Sequence, residues 1–330
     1  MKAVILNTNF QLENGFVEKP HPNSNEVLIQ IKASGFNPID YQMLENELER
    51  KLISSPILGR ELSGIIVETG DKVNHFTVGD EVYCGSGSMG SNGSYAEYIA
   101  VPESIVALKP TNISFEQAAA IPSVGMTALQ IFNRLSLDQH TNLLITGATG
   151  GVGSFLIKLL LANHYNKIMA TVGTEENRNI LLRMGLNSHQ IVNYKEDNLV
   201  ERLLKANNNL PFDIGVDLVG NYMSEITAEV LKMNGSYFDV TALTNPESRE
   251  MLFNKGNVIV NISNYAHSLS KNYAYYKNSL NEISRLIENN IIVPPKYKTV
   301  GNLSLETVLK AQSMLKNNQT QGNKLIMTHE

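Results

Sequence analysis

A chain of 330 residues with 42% hydrophobic and 18% charged positions can bury a large core, but it exceeds the size at which one core usually keeps growing. Two domains are therefore expected. A formal charge of −5 with scattered Lys and Arg gives no electrostatic footprint for nucleic acid or an acidic membrane, and a single cysteine, Cys84, excludes an internal disulfide and a cysteine-rich zinc knot.

The apolar runs are broken by charge, as Lys158 breaks Phe155 to Leu161, so none approaches the roughly 20 residues of a bilayer span. Met1 to Gln11 lacks a secretory pattern, which makes the cytoplasm the expected location. The first 110 residues hold short alternating or β-branched runs: Ala3 to Leu6, Val27 to Ile31, Gly64 to Glu68, Glu81 to Tyr83 and Tyr95 to Val101. They read as a small barrel-like β domain. From Asn142 the rhythm becomes strand and helix in alternation. Strands are expected at Leu143 to Thr146, Ile168 to Val172, Gln190 to Val192 and Ile214 to Val219, with helices at Ser154 to Asn163, Glu175 to Met184, Glu196 to Lys205 and Tyr222 to Met233. That alternation predicts an α/β domain built on a doubly wound parallel sheet. Two more strands, Gly235 to Val240 and Val258 to Ile262, and a helix near Asn272 to Glu288 follow. The last 30 residues read as strand material that rejoins the first domain.

The strongest chemical signal is Leu143 to Gly153, where a strand runs through a glycine turn into a helix. A backbone this bare lets a pyrophosphate approach main-chain N–H groups above a positive helix terminus. Ala148, Thr149, Gly150, Gly151 and Val152 are the expected contacts, although Ala148 stands where the first glycine of a GxGxxG pattern belongs. The next strand ends in Val172, Gly173 and Thr174, where an NAD enzyme places an acid for the ribose diol. With no carboxylate there, a 2′-phosphate is accommodated, and Arg178 and Lys195 can supply positive charge. NADPH is therefore expected over NADH. Glu175 and Glu176 either cap the following helix or oppose the phosphate.

The chain resembles the medium-chain dehydrogenases/reductases, and among them the zinc-independent quinone oxidoreductases related to zeta-crystallin. The resemblance is carried by ASGFNPID at 33–40, GRELSGIIVETGDKV at 59–73, VGDEVY at 78–83, GSYAEY at 93–98, AAAIPSVGMTAL at 118–129, TGATGGVG at 146–153, FDIGVDLVG at 212–220 and GNKLIM at 322–327. It implies a GroES-like β-barrel catalytic domain made from both chain ends, residues 1–122 and 263–330, around a Rossmann NADP-binding domain at 123–262. It also implies that substrate and nicotinamide meet in the cleft and that the protein is a homodimer, paired through the strand near Val258 to Ile262. Zinc-dependent members place Cys, His and Cys where this chain has Asn37, Arg60 and Ser123, so no metal site is expected. The resemblance further places Asn37 beside the nicotinamide ribose or amide, Thr127 at the nicotinamide end, and Tyr194 with Lys195 at the 2′-phosphate; Val219 is expected on the same cofactor wall.

Without a Lewis acid, an unactivated ketone is difficult to polarise. A quinone or α,β-unsaturated ketone instead spreads the arriving charge onto an oxygen remote from the hydride, so the expected activity is NADPH-dependent reduction of a quinone or enone. Tyr41 is the candidate proton donor or oxyanion partner, against a reading as a packing tyrosine. Arg60 either orients an anionic intermediate or pairs structurally with Asp40 or Glu61, and Asn37 before Pro38 is alternatively plain turn chemistry. Asp217 is assigned to strand-end hydrogen bonding. A non-catalytic NADPH-binding redox sensor or interaction protein is the alternative from another class.

Overall fold

The computed structural model describes residues 1–51, 53–89 and 93–329. The strands in chain order are β1 (Lys2–Leu6), β2 (Leu12–Phe16), β3 (Glu26–Gly35), β4 (Leu62–Thr69), β5 (Glu81–Cys84), β6 (Tyr98–Pro102), β7 (Val106–Leu108), β8 (Leu143–Ile145), β9 (Ile168–Val172), β10 (Ile191–Asn193), β11 (Phe212–Asp217), β12 (Leu231–Asp239), β13 (Val258–Asn261), β14 (Tyr297–Asn302) and β15 (Lys324–Thr328). The chain divides into two compact units, Met1–Met126 with Asn264–Glu330 and Thr127–Ser263. The division falls inside the helix Pro122–Arg134.

In the first unit, seven strands form one sheet in the order β14-β15-β3-β4-β5-β7, with β6 also paired to β3. β3 is its spine: this ten-residue strand pairs antiparallel with β4, β6 and β15, so the C-terminal strand closes directly on an N-terminal one. Val27, Leu28, Ile29, Ile31 and Ala33 of β3 are buried, because the sheet is covered on both sides and a near-continuous apolar run then has somewhere to go. The hairpin β1-β2 joins through bridges from Ala3 to Ala96 and Ile5 to Ile57.

The second unit is a six-stranded sheet ordered β10-β9-β8-β11-β12-β13, with every pairing parallel. Counted within the unit, the order is third, second, first, fourth, fifth, sixth, the dinucleotide-binding topology. Its core gathers Leu144, Met169, Val192, Leu203, Phe212, Met223, Ile226, Val230, Tyr237 and Leu252.

Two stretches differ from the sequence expectation. The helix expected over Tyr222 to Met233 ends at Val230, because Leu231 already enters β12 beside Phe212. The last 30 residues hold a helix, Leu305–Lys316, between β14 and β15. Ser304 caps it by accepting from the Thr307 N–H, and Val308, Ala311 and Met314 bury one stripe, a helical period that outweighs the flanking strand signal.

Phe212 is completely buried at the start of β11. Phe212→Ala is expected to destabilise the protein by about 3–5 kcal/mol through lost burial and a residual cavity. Urea unfolding checks this; a loss under about 1 kcal/mol means that the site collapses to fill the void.

Candidate functional site

Two clusters hold the chemistry-bearing residues. The first lies at the carboxyl edge of the parallel sheet, where the neighbours β8 and β11 send their following loops outward. This is the topological switch point of the sheet. Gly147 turns the chain at a φ of 64°, Gly150 is the N-cap, and the helix Gly151–Ala162 begins immediately. A Cβ on Gly153 would lie 2.5 Å from the Gly147 carbonyl oxygen, so glycine permits the close approach of helix and turn. A Cβ on Gly150 would meet only that same oxygen, at 3.2 Å, and otherwise point into open space. The loop is therefore bare on its outer side, with the first helical N–H groups presented there. Ala148 is buried beneath it, while Thr149, Gly151 and Val152 are half-buried.

Asp217 shapes the opposite wall. Its fully buried carboxylate accepts from the Thr146 hydroxyl at 2.7 Å, the Tyr237 hydroxyl at 2.6 Å, the Val219 N–H at 3.0 Å and the Gly220 N–H at 3.0 Å. These bonds join the ends of β8, β11 and β12, the strand-end role read from the sequence. They also hold Val219, whose exposed side chain borders Gly147. Burial first, and then the neighbouring Asp217 carboxylate, push the Tyr237 hydroxyl far above its ordinary pKa, so it stays protonated and donates to that carboxylate.

At the next strand end, Thr174 caps its helix by accepting from the Asn177 N–H. Gly173 leaves room for the Tyr194 ring: a Cβ there would lie 2.4 Å from the Tyr194 hydroxyl oxygen. Tyr194 and Lys195 are exposed beside it. Arg178 points elsewhere. Its guanidinium donates to the carbonyls of Ile191 at 3.0 Å and Ser188 at 3.1 Å and lies 4.0 Å from Glu175. Thr127 is half-buried on the helix Pro122–Arg134.

The second cluster belongs to the first unit, where β3 ends at Gly35 and the helix Pro38–Glu45 begins. Asn37 precedes that helix; its backbone N–H donates to Asp40 Oδ2 at 2.8 Å, and its side-chain amide donates to Glu61 Oε1 at 2.9 Å. Lys324, at the start of β15, donates to Asn37 Oδ1 and pairs with Glu61 Oε1, each at 2.5 Å. Glu61 Oε2 accepts from the Ser123 N–H at 2.8 Å. Arg60 is half-buried, donating to the Gly87 carbonyl at 3.0 Å and resting on the Met43 sulfur. Among the described residues no carboxylate lies within 4.0 Å of its guanidinium, although its charge acts on the buried Asp40. Tyr41 is not gathered into this cluster; it sits on the side of its helix that faces Lys316, the partner of Glu45. Glu61, Lys324 and the Asp40–Tyr95 pair were not singled out as site residues from the sequence. The available signal was a lysine opening the apolar run KLIMT.

Among the described residues no three His, Cys, Asp or Glu side chains converge as a metal site would require. Cys84 is buried, and burial lifts its thiol to about 12, which leaves it unreactive.

A nucleotide-type parallel sheet and a β domain formed from both chain ends define a two-domain dehydrogenase architecture. Residues 23–111 match the family described as "Alcohol dehydrogenase GroES-like domain", and residues 151–286 match "Zinc-binding dehydrogenase". A chloroplast envelope quinone oxidoreductase homolog of Arabidopsis thaliana is 31% identical over 70% of this chain and 70% of its own. A 2-methylene-furan-3-one reductase of Solanum lycopersicum is 31% identical over 76% of this chain, a stretch that spans 64% of that protein. The solved quinone oxidoreductase of Coxiella burnetii superposes with a TM-score of 0.83 at 26% identity, covering 99% of both chains. The chain belongs to the medium-chain dehydrogenase/reductase superfamily, whose members are oxidoreductases.

Asp40 gives this site a pH signature. It is fully buried, accepts from the Asn37 N–H and from the Tyr95 hydroxyl at 2.9 Å, and has no partner for Oδ1 among the described residues. Burial pushes its carboxyl up to about 6, against opposing contributions from the Asn37 N–H and the Arg60 charge. A raised folded-state value means that the stabilising contribution is complete below the unfolded value and is lost as pH rises through about 6. Wild type should therefore lose on the order of 3 kcal/mol relative to Asp40→Asn between pH 4 and 7. Parallel urea titrations of the two proteins measure it; a pH-independent gap would show that Asp40 ionises normally.

Proposed function

We propose that the protein is an NADPH-dependent reductase of quinones or α,β-unsaturated ketones that works without zinc. What carries this reading is a glycine-cradled switch point in the second unit and, in the first, Asn37, Arg60 and Ser123 at the positions where zinc-dependent relatives hold their metal. None of these three offers the soft nitrogen and sulfur set that zinc prefers. The names of the tomato reductase and of the quinone oxidoreductases point to the same acceptors.

Bound NADPH supplies the hydride. The N–H groups of Gly150, Gly151 and Val152 hold the diphosphate, with Ala148, Thr149 and Val219 shaping the cradle around it. Gly173, Thr174 and the Tyr194 ring receive the adenosine ribose, and Lys195 supplies charge to its 2′-phosphate. Arg178 helps by fixing the start of β10 rather than by touching phosphate. Thr127 in the second unit and Asn37 in the first are each assigned to the nicotinamide end, which they would contact when the cofactor is bound. Arg60, with no carboxylate within 4.0 Å among the described residues, stabilises the oxygen of the acceptor as charge develops there. Tyr41, the proton donor expected from the sequence, lies on the Lys316 side of its helix and takes no part in this assignment. The chain works in the cytoplasm as a homodimer joined at the outer edge of β13, where Val258 and Ile259 are 56% and 46% exposed.

Purified protein mixed with NADPH or NADH and a panel of quinones and enones tests the reading. Loss of NADPH absorbance with conjugated acceptors, and none with simple ketones, is expected. Cofactor binding without turnover on any acceptor would mark a sensor instead. Lys195→Ala should raise the KM for NADPH about tenfold and leave that for NADH unchanged, as loss of one charge-assisted bond does; equal effects on both coenzymes would remove Lys195 from the phosphate site. Tyr41→Phe should leave turnover undiminished, as for a packing residue; a fall on the order of 10²-fold would return its hydroxyl to the acceptor.

A further inference from the structure

We propose that the buried Lys324–Glu61 ion pair is a positioning device that locks the Asn37 carboxamide in one orientation for its ligand. The proposal rests on the reductase reading above and assigns Lys324 and Glu61 a part in it.

Both charges are buried, and their strands are already joined to neighbours by backbone ladders. A well-packed apolar pair of equal volume generally holds such a place at least as firmly, because burying two charges costs desolvation. Stability therefore does not explain the pair; its contacts do. A carboxamide is nearly symmetric in shape, and its oxygen and nitrogen exchange places by a simple flip. Here an ammonium, which only donates, sits 2.5 Å from Oδ1, and a carboxylate, which only accepts, sits 2.9 Å from Nδ2. The flipped orientation would oppose donor to donor and acceptor to acceptor. One amide N–H of Asn37 bonds Glu61, leaving the second as the group it can offer to a ligand.

The same carboxylate holds its surroundings. Glu61 Oε2 takes the Ser123 N–H at the start of the helix Pro122–Arg134. Gly35 is compatible with this packing because a Cβ there would lie 2.4 Å from Glu61 Oε1 and 2.6 Å from the Ala119 carbonyl oxygen. Asn37 and Ser123, two of the three positions that carry ligands in zinc-dependent relatives, are thus held by one acid, and a single lysine fixes that acid and the asparagine together.

The test uses three full-length variants: Lys324→Met with Glu61→Gln, which removes both charges without orphaning either; Glu61→Gln alone, which keeps the shape if the pair variant does not fold; and Lys324→Arg. The double variant should keep the unfolding temperature and hold the KM for NADPH within about twofold, while kcat falls about 10- to 100-fold through misplacement; Glu61→Gln alone should lose kcat similarly but at a lower unfolding temperature, because it leaves the Lys324 ammonium unpaired. Lys324→Arg should recover most of kcat. Unchanged kcat in a folded charge-free variant would overturn the proposal, as would kcat and thermal stability falling together without recovery in Lys324→Arg. A second readout is independent of turnover: hydrogen exchange at the ¹⁵N-labelled Asn37 side-chain amide should be slow in wild type and Lys324→Arg and fast without the charges. Equal exchange in all variants sinks the device. A wild type that oxidises no NADPH, yet shows the exchange difference, sinks the reductase reading and leaves the device standing.

Discussion

Six parallel strands share one polarity, so every strand of the second unit delivers its carboxyl end to the same edge of the sheet. Loops that are far apart in sequence meet there because of that constraint, and β8 and β11 open a gap between their loops because their helices leave in opposite directions. Asp217 makes the edge rigid. One buried carboxylate with donors from Thr146, Val219, Gly220 and Tyr237 fixes three strand ends at once, in surroundings where each unmade bond would carry a full desolvation penalty.

The first unit solves a related problem with charge. Antiparallel strands do not gather their ends at one edge, so the site-bearing turn after β3 needs other fixings. Glu61 and Lys324 provide them for Asn37 and Ser123, and Asp40 with Tyr95 provides them for the start of the next helix.

Local patterns carried much of this in advance. The glycine turn after Leu143 and the strand and helix rhythm from Asn142 onward are readable because each depends on neighbours in the chain. The direction of the Arg178 guanidinium is a different kind of fact. One helical turn from Thr174, it could have served a phosphate, but the carbonyls of Ser188 and Ile191 come within reach only once β10 lies beside β9. The helix Leu305–Lys316 shows the same limit at the level of elements, since its short apolar stripe gains weight only from the sheet it packs on.

The sequence by itself determined the two domain types and the bare glycine turn that follows the first strand of the parallel sheet, because backbone permissiveness and apolar periodicity belong to the residues themselves. Only the tertiary structure decided which charges meet. Glu61 and Lys324 lie far apart along the chain, and their pairing does not follow until β15 closes on β3 and brings an ammonium within 2.5 Å of a buried carboxylate.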